Sequence, residues 1–164
     1  FRMGPFTIMD CIVHDVNYVV TDTVLEAFYY DRRYTPSFSQ KRLVEAGYLG
    51  KKTGRGFYQY VEGAENEAPN EDHTLGQQIL DRVLIMLINE AADTLQMGIA
   101  SKEDIDMAMT KGVNYPKGLL RWADEIGIAE CVSRMDALFD TYHEERYRCA
   151  PILRRMAQKG EIFF

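Results

Sequence analysis

The sequence has few cysteines, and they are not placed as a disulfide framework requires. Only three of the 164 residues are cysteines, and Cys11, Cys131 and Cys149 lie far apart. An odd number of distant cysteines argues against structural disulfides and favours a reducing compartment. We therefore expect a cytoplasmic location.

Long apolar runs and an excess of basic charge are also missing. The longest apolar run is Val83–Ile88, whereas a membrane-spanning helix needs about 20 residues. The 25 acidic and 19 basic residues give a formal net charge of −6 at pH 7, which argues against a broad nucleic-acid-binding surface. No secretory signal is visible. We expect a globular protein that binds neither membranes nor nucleic acids.

What the sequence does have is helical periodicity along almost its whole length. Apolar residues recur every three or four positions, and only Gly56–Val61 resembles a strand. We predict an all-α fold. The predicted helices cover residues 5–13, 16–28, 37–46, 74–97, 101–110, 118–126, 129–147 and 151–159.

Capping signals support several of these boundaries. Asp15, Thr74 and Ser101 are predicted N-caps, because each precedes an apolar periodic segment. Gly47 and Gly160 follow predicted helices, as a left-handed C-terminal cap requires. Residues 83–88 are apolar on all sides, so their helix is expected to be central and buried.

An internal repeat divides the sequence. Gly4 and Asp10 recur 114 positions later as Gly118 and Asp124, and Gly47 recurs 113 positions later. We predict a partial first copy in residues 1–60, an acidic linker in 61–73 and a second copy in 74–164. The first copy is expected to be truncated at its N-terminus, without counterparts of the helices at 74–97 and 101–110. The second is expected to end without a counterpart of the glycine-rich tail.

That tail, GYLGKKTGRGFYQY (47–60), has the composition of a phosphate-binding loop but not the spacing. Two residues separate Gly47 from Gly50-Lys51, where a P-loop has four between its first glycine and Gly-Lys. Gly54-Arg55-Gly56 follows a predicted helix, whereas a dinucleotide fingerprint follows a strand. We expect a structural tail whose glycines form tight turns. The alternative is contact with an anionic ligand of a neighbouring domain.

Other polar residues give weaker signals of chemistry. Cys11-x-x-His14 has the spacing of half a metal site, but no second pair lies near it, so we expect a buried thiol and no metal. Asn89-Glu90 lies within the most apolar helix, where it either bonds to neighbouring helix ends or supplies a catalytic carboxylate. His14, His73 and His143 have no evident catalytic partner. The residue chemistry alone indicates a helical binding or assembly module.

Two longer stretches give a more specific signal. The segments MGPFTIMDCIVHDVNY (3–18) and RRYTPSFSQKRLVEAGYLGKKTGRGFYQY (32–60) resemble the C-terminal domain of NAD-dependent 3-hydroxyacyl-CoA dehydrogenases. The second half is similar to the same domain through NEAADTLQMGIASKEDIDMAM (89–109), YPKGLLRWADEIGI (115–128) and ERYRCAPILRRMAQKG (145–160). The tandem arrangement is similar to bacterial 3-hydroxybutyryl-CoA dehydrogenases. A small helical unit like the C-terminal domain of 6-phosphogluconate dehydrogenase is the fold implied.

The resemblance also implies that the catalytic residues lie in a different domain. The family oxidises 3-hydroxyacyl-CoA with NAD, using a histidine and a glutamate of an N-terminal Rossmann domain. No catalytic, cofactor-binding or metal residue is therefore expected in this sequence. Met3, Gly4, Pro5 and Phe6 are the candidates for the acyl-CoA cleft, and Asp81 stands where the family has an asparagine.

The partners implied are that Rossmann domain, an acyl-CoA substrate and further copies of the chain. The two copies are expected to pack face to face, and the chain is expected to self-associate through an open apolar groove. Two rival interpretations remain open. One is a stand-alone helical assembly protein, and the other is the helical domain of a different Rossmann-linked hydroxy-acid dehydrogenase.

Overall fold

The computed structural model describes residues 3–164 and confirms the all-α prediction. No strand forms within this range, where residues 56–61 contribute only an isolated bridge between Arg55 and Gln59. None of its helices is long and apolar enough to cross a membrane. The helices are α1 Pro5–Ile12, α2 His14–Ala27, α3 Phe38–Glu45, α4 His73–Gln96, α5 Lys102–Met107, α6 Leu119–Ile126, α7 Ile128–Tyr142 and α8 Pro151–Lys159.

The chain divides into two compact units, residues 1–70 and 71–164. The first unit contains α1, α2 and α3, followed by the glycine-rich tail, and a short 3₁₀ turn at Arg32–Tyr34 lies before α3. The second unit contains α4 to α8, with a π-helical turn at Ala108–Gly112 and a 3₁₀ turn at Glu145–Tyr147.

The second unit holds the apolar core. Helix α4 contacts α5, α6, α7 and α8, and Ile85, Ile88 and Ala92 of α4 are buried among them. Leu120 and Leu153 are also fully buried there. In the described part of the first unit, by contrast, no apolar side chain is buried, and the buried side chains are polar. Burial of apolar surface therefore stabilises mainly the second unit.

Corresponding helices have nearly the same bounds in the two units. With the spacing of 114, α1 corresponds to α6 and the start of α2 to the start of α7, and with the spacing of 113, α3 corresponds to α8. The rings of Phe28 and Tyr34 are tilted by 35° with centroids 4.4 Å apart. Their counterparts Tyr142 and Tyr147 are tilted by 36° at 5.3 Å. The repeated sequence positions thus make similar local contacts.

The same positions differ in polarity where the last helix of each unit packs. In the second unit, α7 and α8 meet through Cys131, Met135 and Leu153, which we call the apolar trio and which are all fully buried. The corresponding residues between α2 and α3 are Asn17, Thr21 and Gln40, the polar trio. The Gln40 amide donates hydrogen bonds to Asn17 Oδ1 and, at 3.2 Å, to Thr21 Oγ1.

Several predicted boundaries are confirmed. Ser37 caps α3 by accepting a hydrogen bond from Gln40 N, and Ser101 caps α5 by accepting one from Asp104 N at 3.1 Å. Gly47 and Gly160 have φ values of 71° and 68°, which are the left-handed conformations expected at these C-terminal caps.

Two predicted N-caps were wrong. Helix α2 begins at His14, before Asp15, because His14 N donates a hydrogen bond to Leu49 O and the His14 side chain bonds to the preceding helix. Helix α4 is capped by Asp72, whose carboxylate accepts from Leu75 N, so Thr74 lies inside the first turn. The capping signals therefore located each of these helix starts only to within about two residues.

Two further predictions also need correction. The helix predicted over 129–147 ends at Tyr142, because His143 adopts a left-handed conformation with φ of 50°. The predicted burial of the whole segment 83–88 holds for Ile85 and Ile88, but Val83 is 48% exposed. Only the face of α4 that contacts its own unit is buried, so Val83, which lies on the opposite face from Ile85 and Ile88, remains in solvent.

Candidate functional site

A buried carboxylate organises the first unit. Asp10, near the end of α1, is fully buried and accepts four hydrogen bonds. His14 Nε2 and Phe57 N bond to its Oδ1 at 2.6 and 2.9 Å. Tyr58 N and the Tyr60 hydroxyl bond to its Oδ2 at 3.0 and 2.9 Å. We call this group the Asp10 clasp, because it ties the glycine-rich tail to α1.

The clasp changes the acidity of its members. Burial raises the pKa of the Asp10 carboxyl, but the hydrogen bonds from Phe57, Tyr58, His14 and Tyr60 outweigh burial and leave that pKa below its ordinary value. Burial, followed by the hydrogen bond to Asp10, raises the pKa of Tyr60 to about 12. Asp10 is therefore a carboxylate at neutral pH and Tyr60 a neutral donor.

The glycines of the tail allow this close approach. A Cβ at Gly56 would lie 2.2 Å from Asp10 Oδ1, and one at Gly50 would lie 2.3 Å from Asp10 O. Gly50 and Gly54 also have positive φ values of 107° and 74°, which confirms the predicted tight turns. Two basic side chains of the tail lie over tyrosine rings, Arg55 over Tyr48 and Lys51 over Tyr60.

The predicted cleft residues lie immediately before and within the first turn of α1. Met3, Gly4, Pro5 and Phe6 are all exposed, and Phe6 is 51% exposed. The Phe6 ring packs against Phe57 with centroids 4.5 Å apart. Phe57 in turn meets the edge of His14 at 5.0 Å. An exposed aromatic ring that rests on a half-buried one is suited to contact an apolar ligand.

The sequence prediction missed this clasp. His14 was expected to lack a partner, yet it is fully buried beside Asp10. The only signal available was the spacing of four between Asp10 and His14, which places side chains on one helix face. Cys11 was expected to be buried, but it is exposed. Groups of three or more potential metal ligands are not found in residues 3–164.

The second unit contains a reduced version of the clasp. Asp124 accepts hydrogen bonds from Phe163 N and Phe164 N at 2.9 and 3.0 Å. Residues 161–164 contain no counterpart of the glycine-rich segment itself, but they reproduce its backbone contacts with the aspartate. Phe163 and Phe164 take the place of Phe57 and Tyr58 on the aspartate, after a shorter connection. The position of His14 is occupied by the apolar Ile128.

Asp81 lies at the edge of a cavity of about 380 Å³ between α4 and α7. Its carboxylate accepts a hydrogen bond from Gln77 at 2.7 Å. The neighbouring Arg82 lies over the rings of Tyr142 and Tyr147 and donates hydrogen bonds to both hydroxyls. Asp81 and Arg82 thus bond to different groups, and Arg82 joins α4 to the end of α7.

The contacts of Asn89 favour the first of the two interpretations of Asn89-Glu90, in which the pair bonds to neighbouring helix ends. Its side chain is fully buried, where Nδ2 donates to Arg148 O at 3.0 Å and Oδ1 accepts from Ala150 N at 2.7 Å. These bonds satisfy backbone groups just before α8, as a buried amide requires. Glu90 is only partly buried.

The arrangement defines a class: a helical domain whose terminal tail is bound to a buried helix aspartate. Comparison with known proteins makes the class specific. The family model described as "3-hydroxyacyl-CoA dehydrogenase, C-terminal domain" matches residues 1–60 and 79–162. The chain belongs to this family of C-terminal domains.

Two relatives illustrate the similarity. A 3-hydroxyadipyl-CoA dehydrogenase of Escherichia coli (strain K12) is 29% identical over 242 residues, covering 96% of this chain and 51% of the relative. That alignment is longer than this chain, so the relative has additional residues within the matched stretch. A probable 3-hydroxybutyryl-CoA dehydrogenase of Deinococcus radiodurans is 38% identical over 82 residues, covering 50% of this chain and 30% of the relative.

A solved structure agrees in fold. The crystal structure of 3-hydroxybutyryl-CoA dehydrogenase from Escherichia coli K12 superposes with a TM-score of 0.82 at 29% identity. The match covers 97% of this chain and 52% of that protein. This chain therefore spans about half the length of these two Escherichia coli proteins.

Proposed function

We propose that this chain acts as the C-terminal helical region of an NAD-dependent 3-hydroxyacyl-CoA dehydrogenase. The reaction converts 3-hydroxyacyl-CoA and NAD to 3-ketoacyl-CoA and NADH. Family membership supports the activity, and one observation supports the role of this region. Phe6 is half exposed while its ring rests on the clasped Phe57, so a supported apolar surface faces outward at the start of α1.

The first unit forms one wall of the acyl-CoA cleft in this proposal. The wall consists of Met3, Gly4, Pro5 and Phe6. Because Gly4 has no neighbouring atoms within 4 Å of an added Cβ, this turn is open to a ligand. Apolar contact between the Phe6 ring and the acyl portion would hold the substrate without changing its chemistry.

The cofactor and the catalytic histidine belong to a separate nucleotide-binding domain in this proposal. That domain would hold NAD, which would supply the hydride acceptor for the reaction when bound. Gly54-Arg55-Gly56 does not serve as a dinucleotide site, because it lies in the tail between a 3₁₀ turn and the residues bonded to Asp10. The purified 164-residue chain is expected to show neither tight NAD binding nor turnover.

The two units act as two copies of one domain, divided by a linker at residues 61–73, and the second copy is structural. Asp81 accepts hydrogen bonds but cannot donate them as the family asparagine does. The turn at Gly118-Leu119-Leu120 replaces Gly-Pro-Phe, and Leu120 is fully buried. At Leu120, the counterpart of Phe6, the second copy thus presents no exposed ring to an acyl group.

The chain also self-associates in this proposal. Helix α2 exposes Val16, Val19 and Val20, and α4 exposes Ile79 and Leu80. Exposed apolar rows of this kind usually mark interfaces. A second copy of the chain is the proposed occupant. Light scattering at micromolar concentration tests it: a monomer of 18.9 kDa that binds no hydrophobic dye would refute self-association.

The activity is tested with the full-length enzyme that carries this region. NADH formation from 3-hydroxybutyryl-CoA is compared with that from free hydroxy acids. Activity on the CoA ester supports the proposal, and activity on free acids alone would favour a different hydroxy-acid dehydrogenase. Absence of activity on both would favour a helical assembly module.

The cleft role is tested with Phe6→Ala in the same enzyme. We expect a KM for 3-hydroxybutyryl-CoA raised about tenfold, equivalent to roughly 1.4 kcal/mol, with little change in Tm. Phe38→Ala is the matched control, because Phe38 is an aromatic residue of the same unit that is 82% exposed. A fall in Tm without a change in KM would show that Phe6 only stabilises the unit.

A further inference from the structure

The support beneath Phe6 suggests a role for the clasp beyond holding the tail. The Phe57 ring contacts both Phe6, with centroids 4.5 Å apart, and His14, with centroids 5.0 Å apart. Phe57 therefore links the buried His14 to the exposed Phe6. The position of Phe57 therefore sets the position of the exposed ring.

Asp10 fixes Phe57 directly through its backbone and indirectly through His14. Its Oδ1 accepts from Phe57 N at 2.9 Å, which places the Phe57 backbone. The same oxygen bonds to His14 Nε2 at 2.6 Å, which orients the imidazole that packs against the Phe57 ring. Hydrogen bonds to an ionised acceptor are stronger than neutral ones, so loss of the charge at Asp10 loosens both contacts together.

The tail backbone is shaped for this contact. Gly56 does not have a positive φ, so turn geometry does not require glycine there. The requirement comes from Asp10, since a Cβ at Gly56 would lie 2.2 Å from Asp10 Oδ1 and 2.6 Å from its Cγ. The residue that precedes Phe57 is thus pressed directly against the carboxylate.

The second unit has the same anchor without the exposed ring. Asp124 accepts from Phe163 N and Phe164 N with nearly the same distances as Asp10. The counterpart of Phe6 is Leu120, which is fully buried. The ring of Phe164 is instead covered by Arg121, whose guanidinium carbon lies 4.0 Å from the ring centroid.

We infer that Asp10 is a positioning residue for substrate binding, which acts through Phe57 to hold the Phe6 ring in the wall of the acyl-CoA cleft. The inference rests on the proposed function. It adds that an aspartate with no exposed surface of its own controls the fit of the acyl group. Asp124, which has the same bonds to the backbone, has no such effect.

The test compares Asp10→Asn with Asp124→Asn in the full-length enzyme. Both changes are expected to lower Tm, because each weakens bonds to two backbone amides. Only Asp10→Asn is expected to raise KM for 3-hydroxybutyryl-CoA, by about five- to tenfold, with kcat within about twofold. Equal KM values for the two variants would overturn the inference, since a purely structural role predicts that result.

A double variant links the effect to Phe6. If Asp10 acts through the Phe6 ring, then Asp10→Asn combined with Phe6→Ala raises KM no further than Phe6→Ala alone. If the KM increases of the two single variants multiply in the double variant, then Asp10 acts by another route and the inference is overturned. Phe57→Leu serves where Asp10→Asn does not fold, because it keeps an apolar side chain and removes the supporting ring; it is expected to raise KM similarly.

The outcomes also separate this inference from the proposed function. An unchanged KM in Phe6→Ala would overturn the cleft role and, with it, the inference. A raised KM in Phe6→Ala, together with an unchanged KM in both Asp10→Asn and Phe57→Leu, would overturn only the inference. In that case Phe6 binds the substrate without needing the clasp.

Discussion

At three corresponding positions the two units carry opposite chemistry. The apolar trio of the second unit is buried between α7 and α8, whereas the polar trio of the first unit joins α2 and α3 through the amide of Gln40. Units with similar helix bounds can therefore have either polar or apolar side chains at these three positions. We conclude that the helix positions shared by the two units depend on their turns and on the aspartate at Asp10 and Asp124, and not on a common apolar core.

Helix α4 explains part of the difference. In the second unit it lies at the centre of the core. From α4, Asn89 bonds to the segment before α8, and Arg82 bonds to Tyr142 at the end of α7 and to Tyr147 after it. No described residue supplies such a helix within residues 1–70. The first unit consequently shows an exposed apolar row on α2 and depends more on hydrogen bonds, which contribute less net stability than apolar burial.

The largest effect is expected from truncating the second core. Leu153→Ala removes a fully buried side chain and is predicted to lower the free energy of unfolding by about 2–5 kcal/mol. Val19→Ala, at a position that is 61% exposed, is the control and is predicted to change it by less than about 0.5 kcal/mol. Denaturant unfolding followed by circular dichroism measures both. Similar losses would mean that the α2 row is covered in solution.

Acid is expected to act on the first unit through Asp10. Because the pKa of Asp10 is lowered on folding, its stabilisation is present above the unfolded value of about 3.9 and is lost as pH falls through the folded pKa. Wild type is predicted to exceed Asp10→Asn in stability by about 2 kcal/mol near neutral pH. Unfolding curves at several pH values should show this difference shrinking below about pH 4. A difference that does not depend on pH would contradict the assignment.

A smaller effect is expected from exchanging the trios. Gln40→Leu alone leaves the acceptors Asn17 and Thr21 without their donor and is predicted to cost about 1 kcal/mol. The triple change Asn17→Cys, Thr21→Met and Gln40→Leu installs the apolar trio and is predicted to recover that loss or exceed it. Thermal unfolding of both variants decides the point. If the triple variant is less stable than the single one, then the first unit cannot accommodate the second unit's packing.

The smallest effect is expected at Asp81. It is bonded to Gln77 at the edge of an open cavity, and Asp81→Ala is predicted to leave kcat/KM of the full-length enzyme within about threefold, under ~1 kcal/mol of transition-state stabilisation. Steady-state kinetics with 3-hydroxybutyryl-CoA provides the measurement. A hundredfold loss would place Asp81 in a catalytic site and remove the functional contrast between the units.

Local signals were sufficient for much of the fold. The predicted helices at 5–13 and 151–159 start at Pro5 and Pro151, as α1 and α8 do, Ser101 was predicted as the cap of α5, and Gly47 and Gly160 predicted the ends that the structure shows. These signals work because each depends on the backbone preferences of one residue or on a hydrogen bond within one turn. The family resemblance likewise came from short motifs.

The candidate site depended on contacts that no local pattern contains. Asp10 and Phe57 are 47 residues apart, and nothing in either segment indicates that one binds the other. The burial of His14, the exposure of Cys11 and Val83 and the placement of Phe163 on Asp124 were likewise decided by which surfaces meet. The sequence by itself determined the helices, their principal ends and the repeat, because backbone preferences act over a few residues. Tertiary structure decided which polar groups are buried together, because an aspartate is stable inside only where distant donors converge on it.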